Sequence, residues 1–154
     1  MNSPQQPFSH LDASGQVRMV DVSEKPVISR IATAEAYLHC ERATMVALRE
    51  HALPKGDVLA TARLAGIMAA KRTAELIPLC HALPLNQVTV DFLLDEDRIH
   101  VQTSARTSAR TGVEMEALTA AAIAALTLYD MMKAVDKSMR VEGIRVTLKE
   151  KIEP

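Results

Sequence analysis

"QVTVDFLLDEDRIHVQTSAR", residues 87–106, is the stretch that decides the fold. Val88, Val90 and Phe92 alternate with Thr89 and Asp91. The polar "DEDR" run, residues 95–98, breaks the pattern, and Ile99, Val101 and Thr103 then resume it. A period of two on both sides of a short polar break predicts a β-hairpin with one buried face. That face needs a cover, and the flanking sequence supplies helices.

On the C-terminal side, "TGVEMEALTAAAIAALTLYDMMKAVDK", residues 111–137, predicts a helix from about Gly112 to about Asp136. "GIRVTLK", residues 143–149, follows as a strand with Ile144, Val146 and Leu148 on one face. On the N-terminal side, Asp57 is a plausible N-cap for "VLATARLAGIMAAKRTAELI", residues 58–77, a long helix ended by Pro78. A shorter helix lies within "CERATMVALREHAL", residues 40–53, stopped by "LPKG". "VISRIATAEAYLH", residues 27–39, predicts a strand, and "VRMVDV", residues 17–22, a shorter one before Pro26. Residues 1–16, rich in Pro, Gln, Ser and Gly, read as a loosely attached arm, which leaves 17–154 as a single domain. The order of elements predicts an α+β fold: a β-α-β-β-α-β core of ferredoxin-like type, a mainly antiparallel sheet with helices on one face.

The chain of 154 residues suits one domain with a sizeable core. Aromatic residues are only 3% of it and Trp is absent, so the core must be built from small and aliphatic side chains. Alanine allows close approach but buries little area per residue, which makes burial between subunits useful. A net charge of −1 gives no global field for nucleic acid or a membrane, so any anion site is local. Cys40 and Cys80 form no recognisable disulfide framework and suit reduced thiols in a cytosol. The start has no basic-then-apolar signal pattern. The most apolar run, Ala117 to Leu128, is too short to span a bilayer.

The helix over 112–136 carries the strongest chemical signal. At 3.6 residues per turn, Glu116, Thr119, Thr127, Asp130, Lys133 and Lys137 share an arc of about 120° on an otherwise apolar helix. A solvated stripe accounts for this pattern, and so does the wall of a pocket. Glu116 and Asp130 lie about 21 Å apart along the axis. They therefore act at opposite ends of a long ligand or in sites completed by another chain. Asp130 and Lys133, at i and i+3, read equally as a helix salt bridge or as a carboxylate tuned by an ammonium.

Lys55 stands beside Gly56 at the mouth of a helix, a weak phosphate-site signal whose plain alternative is a turn lysine. Arg30 and Arg106, on or near strands, suggest an acidic ligand, with internal ion pairs as the default. "ELIPLCHALPL", residues 75–85, places Cys80 beside His81. A zinc site needs more ligands at recognisable spacing, and adjacent side chains usually diverge, which disfavours a Cys–His catalytic pair. One side chain is expected to pack inward. His81 is then the candidate for ligand binding or proton transfer, and Cys80 for pocket wall.

Taken together, "MVDVSEK", "KGDVLATARLAGIMAAKRTAELIPLCH" and "TGVEMEALTAAAIAALTLYDMMKAV" resemble the cyclic pyranopterin monophosphate synthases, the molybdenum cofactor biosynthesis protein C family. The resemblance covers most of residues 17–148. It implies a homohexamer, a trimer of dimers with sites at the dimer interface, in the cytoplasm. The implied substrate is 3′,8-cyclo-7,8-dihydroguanosine 5′-triphosphate, and the implied products are cyclic pyranopterin monophosphate and pyrophosphate. It implies that Leu79, Cys80 and His81 bind substrate, and that Met115 and Glu116 contact its base-derived part. Asp130 takes the central catalytic role, Lys133 and Lys55 belong to the active site, and Arg30 and Arg106 lie near the phosphates. No cofactor motif is seen. A divalent ion can accompany the triphosphate, but no residues identify a metal site.

Three features depart from the family pattern. Ala82 follows His81 where Pro is common, Arg110 stands where Lys is usual, and the ending "TLKEKIEP" differs from the Gly- and Lys-rich tail of some relatives. The competing reading is a non-catalytic oligomeric module that binds a nucleotide-like ligand in the same pocket.

Overall fold

A computed structural model describes residues 9–152. Four strands and four helices follow one another as β1 (Ile28–His39), α1 (Arg42–Arg49), α2 (Val58–Lys71), α3 (Thr73–Leu76), β2 (Leu85–Leu94), β3 (Arg98–Ala109), α4 (Glu114–Met132) and β4 (Arg140–Ile152). The sheet order is β2-β3-β1-β4 with every neighbouring pair antiparallel. This is the expected α+β, ferredoxin-like arrangement. The hairpin of residues 87–106 is β2 and β3, with Phe92 opposite Val101 and Leu94 opposite Ile99.

The core explains how so few aromatics suffice. Ala32, Ala34, Ala36 and Leu38 of β1 point to one side of the sheet, as do Ile99, Val101, Thr103 and Ala105 of β3. Against them lies α4, whose Ala117, Ala120, Ala121, Ala124 and Ala125 are fully buried. Alanine on both surfaces lets the helix axis approach the sheet closely. Next to it, α2 brings Ala62 and Gly66 to the helix–helix contact. A β-carbon at Gly66 would sit 3.0 Å from the Ala120 carbonyl oxygen, 3.0 Å from Val90 Cγ2 and 3.2 Å from Ala124 Cβ. By length and hydropathy α4 is long enough to cross a membrane, but more than half of it is buried in this core.

The N-cap of α2 is Asp57, whose carboxylate accepts from the Ala60 N–H at 3.0 Å. The helix stops earlier than Pro78 would require. Thr73 Oγ1 donates to the carbonyls of Ala70 at 3.0 Å and Ala69 at 3.3 Å, and the hydroxyl competes with the backbone for the last turn. A separate turn, α3, completes the run.

Residues 17–22 are not a strand. Only Val17 forms a bridge, to Leu11, and Val17 and Met19 are exposed, so no neighbouring strand supports the alternation. Residues 1–8 of the expected arm lie outside the described residues. Residues 10–18 close a turn in which the Asp12 carboxylate accepts from the N–H groups of Ser14 and Gln16.

The second face of the sheet carries no helix. There Glu35 accepts from Arg145 Nε at 2.6 Å and lies 2.8 Å from His100 Nε2, whose ring stacks on Tyr37. The tight α2–α4 crossing yields a test. Gly66→Val is expected to lower the unfolding free energy by about 1–3 kcal/mol, because the carbonyl of Ala120 cannot yield as a side chain would. Urea denaturation measures it, and an unchanged midpoint would show that the helices do not meet there.

Candidate active site

Pro78 and the turn at Leu79–His81 bring the chain back beneath the first turn of α4. A cavity of about 420 Å³ opens there, within the range of small-ligand sites. Leu79, Cys80, His81, Met115 and Glu116 all line it, so the structure brings these five expected residues together. The carboxyl of Glu116 is 4% exposed. Burial pushes its pKa up to about 6; a backbone N–H pulls it down, and the neighbouring charge of Glu114 adds to the rise. Burial also raises the Cys80 thiol, with the charge of Glu116 adding to the effect, which disfavours the thiolate. The Nε2 of His81 lies 2.8 Å from the Val20 carbonyl.

At the other end of α4 stands a second cluster. The Asp130 carboxylate lies 2.7 Å from the Lys133 ammonium and 3.2 Å from that of Lys55, which also donates to the Asp130 carbonyl at 3.0 Å. The loop before Asp57 delivers Lys55; Lys133 is the C-cap of α4, where a cation suits the helix dipole. Lys133 and then Lys55 hold the Asp130 carboxyl below its ordinary range, and Asp130 raises Lys133 in return. All three side chains are open to solvent. Two ammonium groups on one carboxylate leave a net positive group suited to a phosphate.

The polar stripe of α4 is therefore divided rather than continuous. Thr119 and Thr127 donate to the carbonyls of Met115 and Ile123, each at 2.7 Å, which satisfies them within their own helix. Glu116 lies in the cavity and Asp130 at the open end, fourteen positions further along the helix. A single chain does not join the two clusters.

Arg30 and Arg106 do not meet either. Arg30 pairs across the strands with Thr107, and Arg106 with Ile31, so their side chains leave opposite faces of the sheet. Buried Arg30 donates to the carbonyls of Ala109 and Arg110 at 3.2 and 3.3 Å. It clamps the end of β3 just before the cavity residues Thr111 and Gly112. Arg110 has a role of its own: its Nε donates to the Lys25 carbonyl at 3.1 Å.

Sequence reasoning missed the segment that this bond anchors. Ser9, His10, Val20, Val22 and Lys25 line the cavity, although they precede its other walls by more than fifty residues. The run "MVDVSEK", residues 19–25, is the signal available in the sequence, through its resemblance to the family rather than through any periodicity. A separate depression of about 380 Å³ lies on the helix-free face between Thr33, Glu35, Asp91 and Gln102. It is a saddle of the twisted sheet and holds none of the expected residues. Among the described residues no group of three His, Cys, Asp or Glu side chains is arranged to hold a metal ion.

The buried carboxyl has a measurable consequence. Its pKa is raised in the folded state, so the folded protein binds that proton more tightly than the unfolded chain does. The stability that this group contributes is full below about pH 4.5 and is lost as pH rises through about 6, by on the order of 2 kcal/mol. Glu116→Gln removes the penalty. The variant is expected to melt above the parent at pH 8 and together with it near pH 4, in thermal scans at both values. A gap that is the same at both would dissociate the effect from ionisation.

Comparison with known proteins places this geometry in a family. The MoaC family model matches residues 19–151. Three similar relatives each bear the name cyclic pyranopterin monophosphate synthase. The one from Nostoc is 57% identical over 144 residues, 92% of this chain and 86% of the relative. Those from Thermomicrobium roseum and Chloroflexus aggregans are 57% and 54% identical, covering 90% and 92% of this chain and 85% and 87% of theirs. With the family model spanning residues 19–151 and relatives more than half identical over about nine-tenths of the chain, the chain belongs to the MoaC family.

Proposed function

We propose that this chain is a cyclic pyranopterin monophosphate synthase. It converts 3′,8-cyclo-7,8-dihydroguanosine 5′-triphosphate to cyclic pyranopterin monophosphate and pyrophosphate, a lyase step of molybdenum cofactor biosynthesis in the cytoplasm. The observation that carries the chemistry is the pair of ammonium groups on the Asp130 carboxylate. Expelling pyrophosphate builds negative charge on the leaving group, and Lys55 and Lys133 are positioned to neutralise it. Ring opening and reclosure of the base-derived part require proton transfers. His81 and Asp130 serve them, with Lys133 tuning the carboxylate. Leu79, Cys80, Met115 and Glu116 form the pocket for the base-derived part, and Arg106 is available to a phosphate from a solvent-exposed position. Arg30 supports the pocket through the end of β3. The reaction changes no oxidation state, so the proposal includes no redox cofactor.

The working site is built from two chains of a homohexamer, a trimer of dimers. Fourteen residues of helix keep Glu116 from Asp130 within one chain, about 21 Å on the axis. A partner chain that sets its Asp130 end beside this cavity brings the two halves within reach of one nucleotide. Large apolar side chains exposed on both layers support such burial: Leu64 and Met68 on α2, Leu126 on α4, and Leu93 and Ile152 on the sheet.

Asp130→Ala is expected to keep the oligomer and to lose turnover by at least about a hundredfold. Supplying the cyclised nucleotide and following pyrophosphate and pterin product measures this. Full turnover would remove Asp130 from the mechanism, and binding without product in the parent protein would favour a non-catalytic module. Mixed oligomers of Lys55→Ala and Glu116→Ala chains test the two-chain site, since one interface then keeps both wild-type clusters. Partial recovery of activity is expected, and none in verified mixed dimers would confine the site to one chain.

A further inference from the structure

The segment that runs under the cavity, residues 9–25, is held at several points. Leu11 bridges Val17, and the Arg18 N–H donates to the His10 carbonyl at 2.9 Å. Asp21 accepts from Ser23 through its N–H at 2.9 Å and its hydroxyl at 2.6 Å. Arg110 fixes the carbonyl of Lys25. Between these anchors the Val20 carbonyl meets His81 Nε2 at 2.8 Å. A carbonyl oxygen only accepts, so the bond requires a hydrogen on Nε2. Neutral imidazole carries one ring hydrogen, which leaves Nδ1 bare. Among the described residues the His81 ring makes this one hydrogen bond, and none at Nδ1.

We infer that the strap of residues 9–25 is a working part of the site, and that its Val20 carbonyl fixes His81 as the Nε2–H tautomer, making Nδ1 the atom that accepts a proton from the substrate. The inference rests on the reading of His81 as a proton-transfer residue and specifies its direction. In the step, a substrate O–H or N–H bond breaks, its electron pair stays on the substrate, and the proton forms a bond to Nδ1. The imidazolium keeps Nε2–H on Val20 and returns the Nδ1 proton when the ring recloses. Val20 acts through His81 and is a positioning residue. Fixing the tautomer in advance spares the site a choice between two nearly isoenergetic forms.

The test uses the full-length oligomer labelled with ¹⁵N-histidine, in alkaline buffer without substrate. Long-range ¹H–¹⁵N spectra distinguish a protonated Nε2 from a protonated Nδ1, and His81→Gln assigns the signal by its disappearance. The expected result is a protonated Nε2 and a bare Nδ1 at His81, with turnover in His81→Gln reduced at least a hundredfold. A protonated Nδ1, or a signal averaged between tautomers, overturns the inference whatever the variant does. If His81→Gln is also inactive in that case, the proton-transfer reading survives. A protonated Nε2 with full turnover in His81→Gln overturns both. Arg110→Ala removes the bond that anchors the strap at Lys25. It is expected to shift the His81 signal toward the tautomer average, and an unmoved signal shows that the strap does not set it.

Discussion

Everything in this molecule depends on how closely α4 lies on the sheet. Alanines of α4 face alanines of β1, and Gly66 of α2 lies against Ala120 and Ala124 of α4 with no room for a side chain. Packing of this kind gains less from each side chain than an aromatic core does, but it tolerates no slack, because backbone rather than flexible side chain forms the contact. The helix so packed sets the distance between its two ends, one at Glu116 and the other at Asp130.

The two ends have opposite electrostatic character. Glu116 is a desolvated carboxyl beside a neutral thiol and an imidazole, where ionisation is costly. Asp130 is a solvated carboxylate under two ammonium groups, where ionisation is favoured. Under the proposed function, these opposite environments divide the work on one substrate: recognition and proton transfer at the base-derived ring, and charge neutralisation at the phosphates. Ionising this buried carboxyl costs stability as pH rises through about 6, and the proposed binding role would offset that cost.

Two arginines near the end of β3 serve the framework. Arg30 spends its donors on the last carbonyls of β3, and Arg110 holds the strap at Lys25. Both bonds go to backbone oxygens, which any sequence presents, so no pairing rule could have revealed them. The Nε donor of Arg110 serves as a directional strut between two segments, a task for which the guanidinium is better shaped than an ammonium.

The elements themselves were legible in the residues. Period-two alternation gave β2 and β3, Asp57 gave the start of α2, and the long alanine-rich run gave α4, because each of these signals is local and repeated over many residues. The residue types of both clusters were legible as well, as was the helical distance that keeps them apart. The alternation in 17–22 misled, since a strand exists only where a neighbour accepts its hydrogen bonds, and that neighbour is a tertiary fact. Folding alone decided that the segment would instead offer a carbonyl to His81, that Arg30 and Arg106 would leave opposite faces of the sheet, and that the stripe on α4 would be buried at one end and wet at the other. Each of these outcomes depends on which surfaces meet, and contacts between residues distant in the chain leave no periodicity in it.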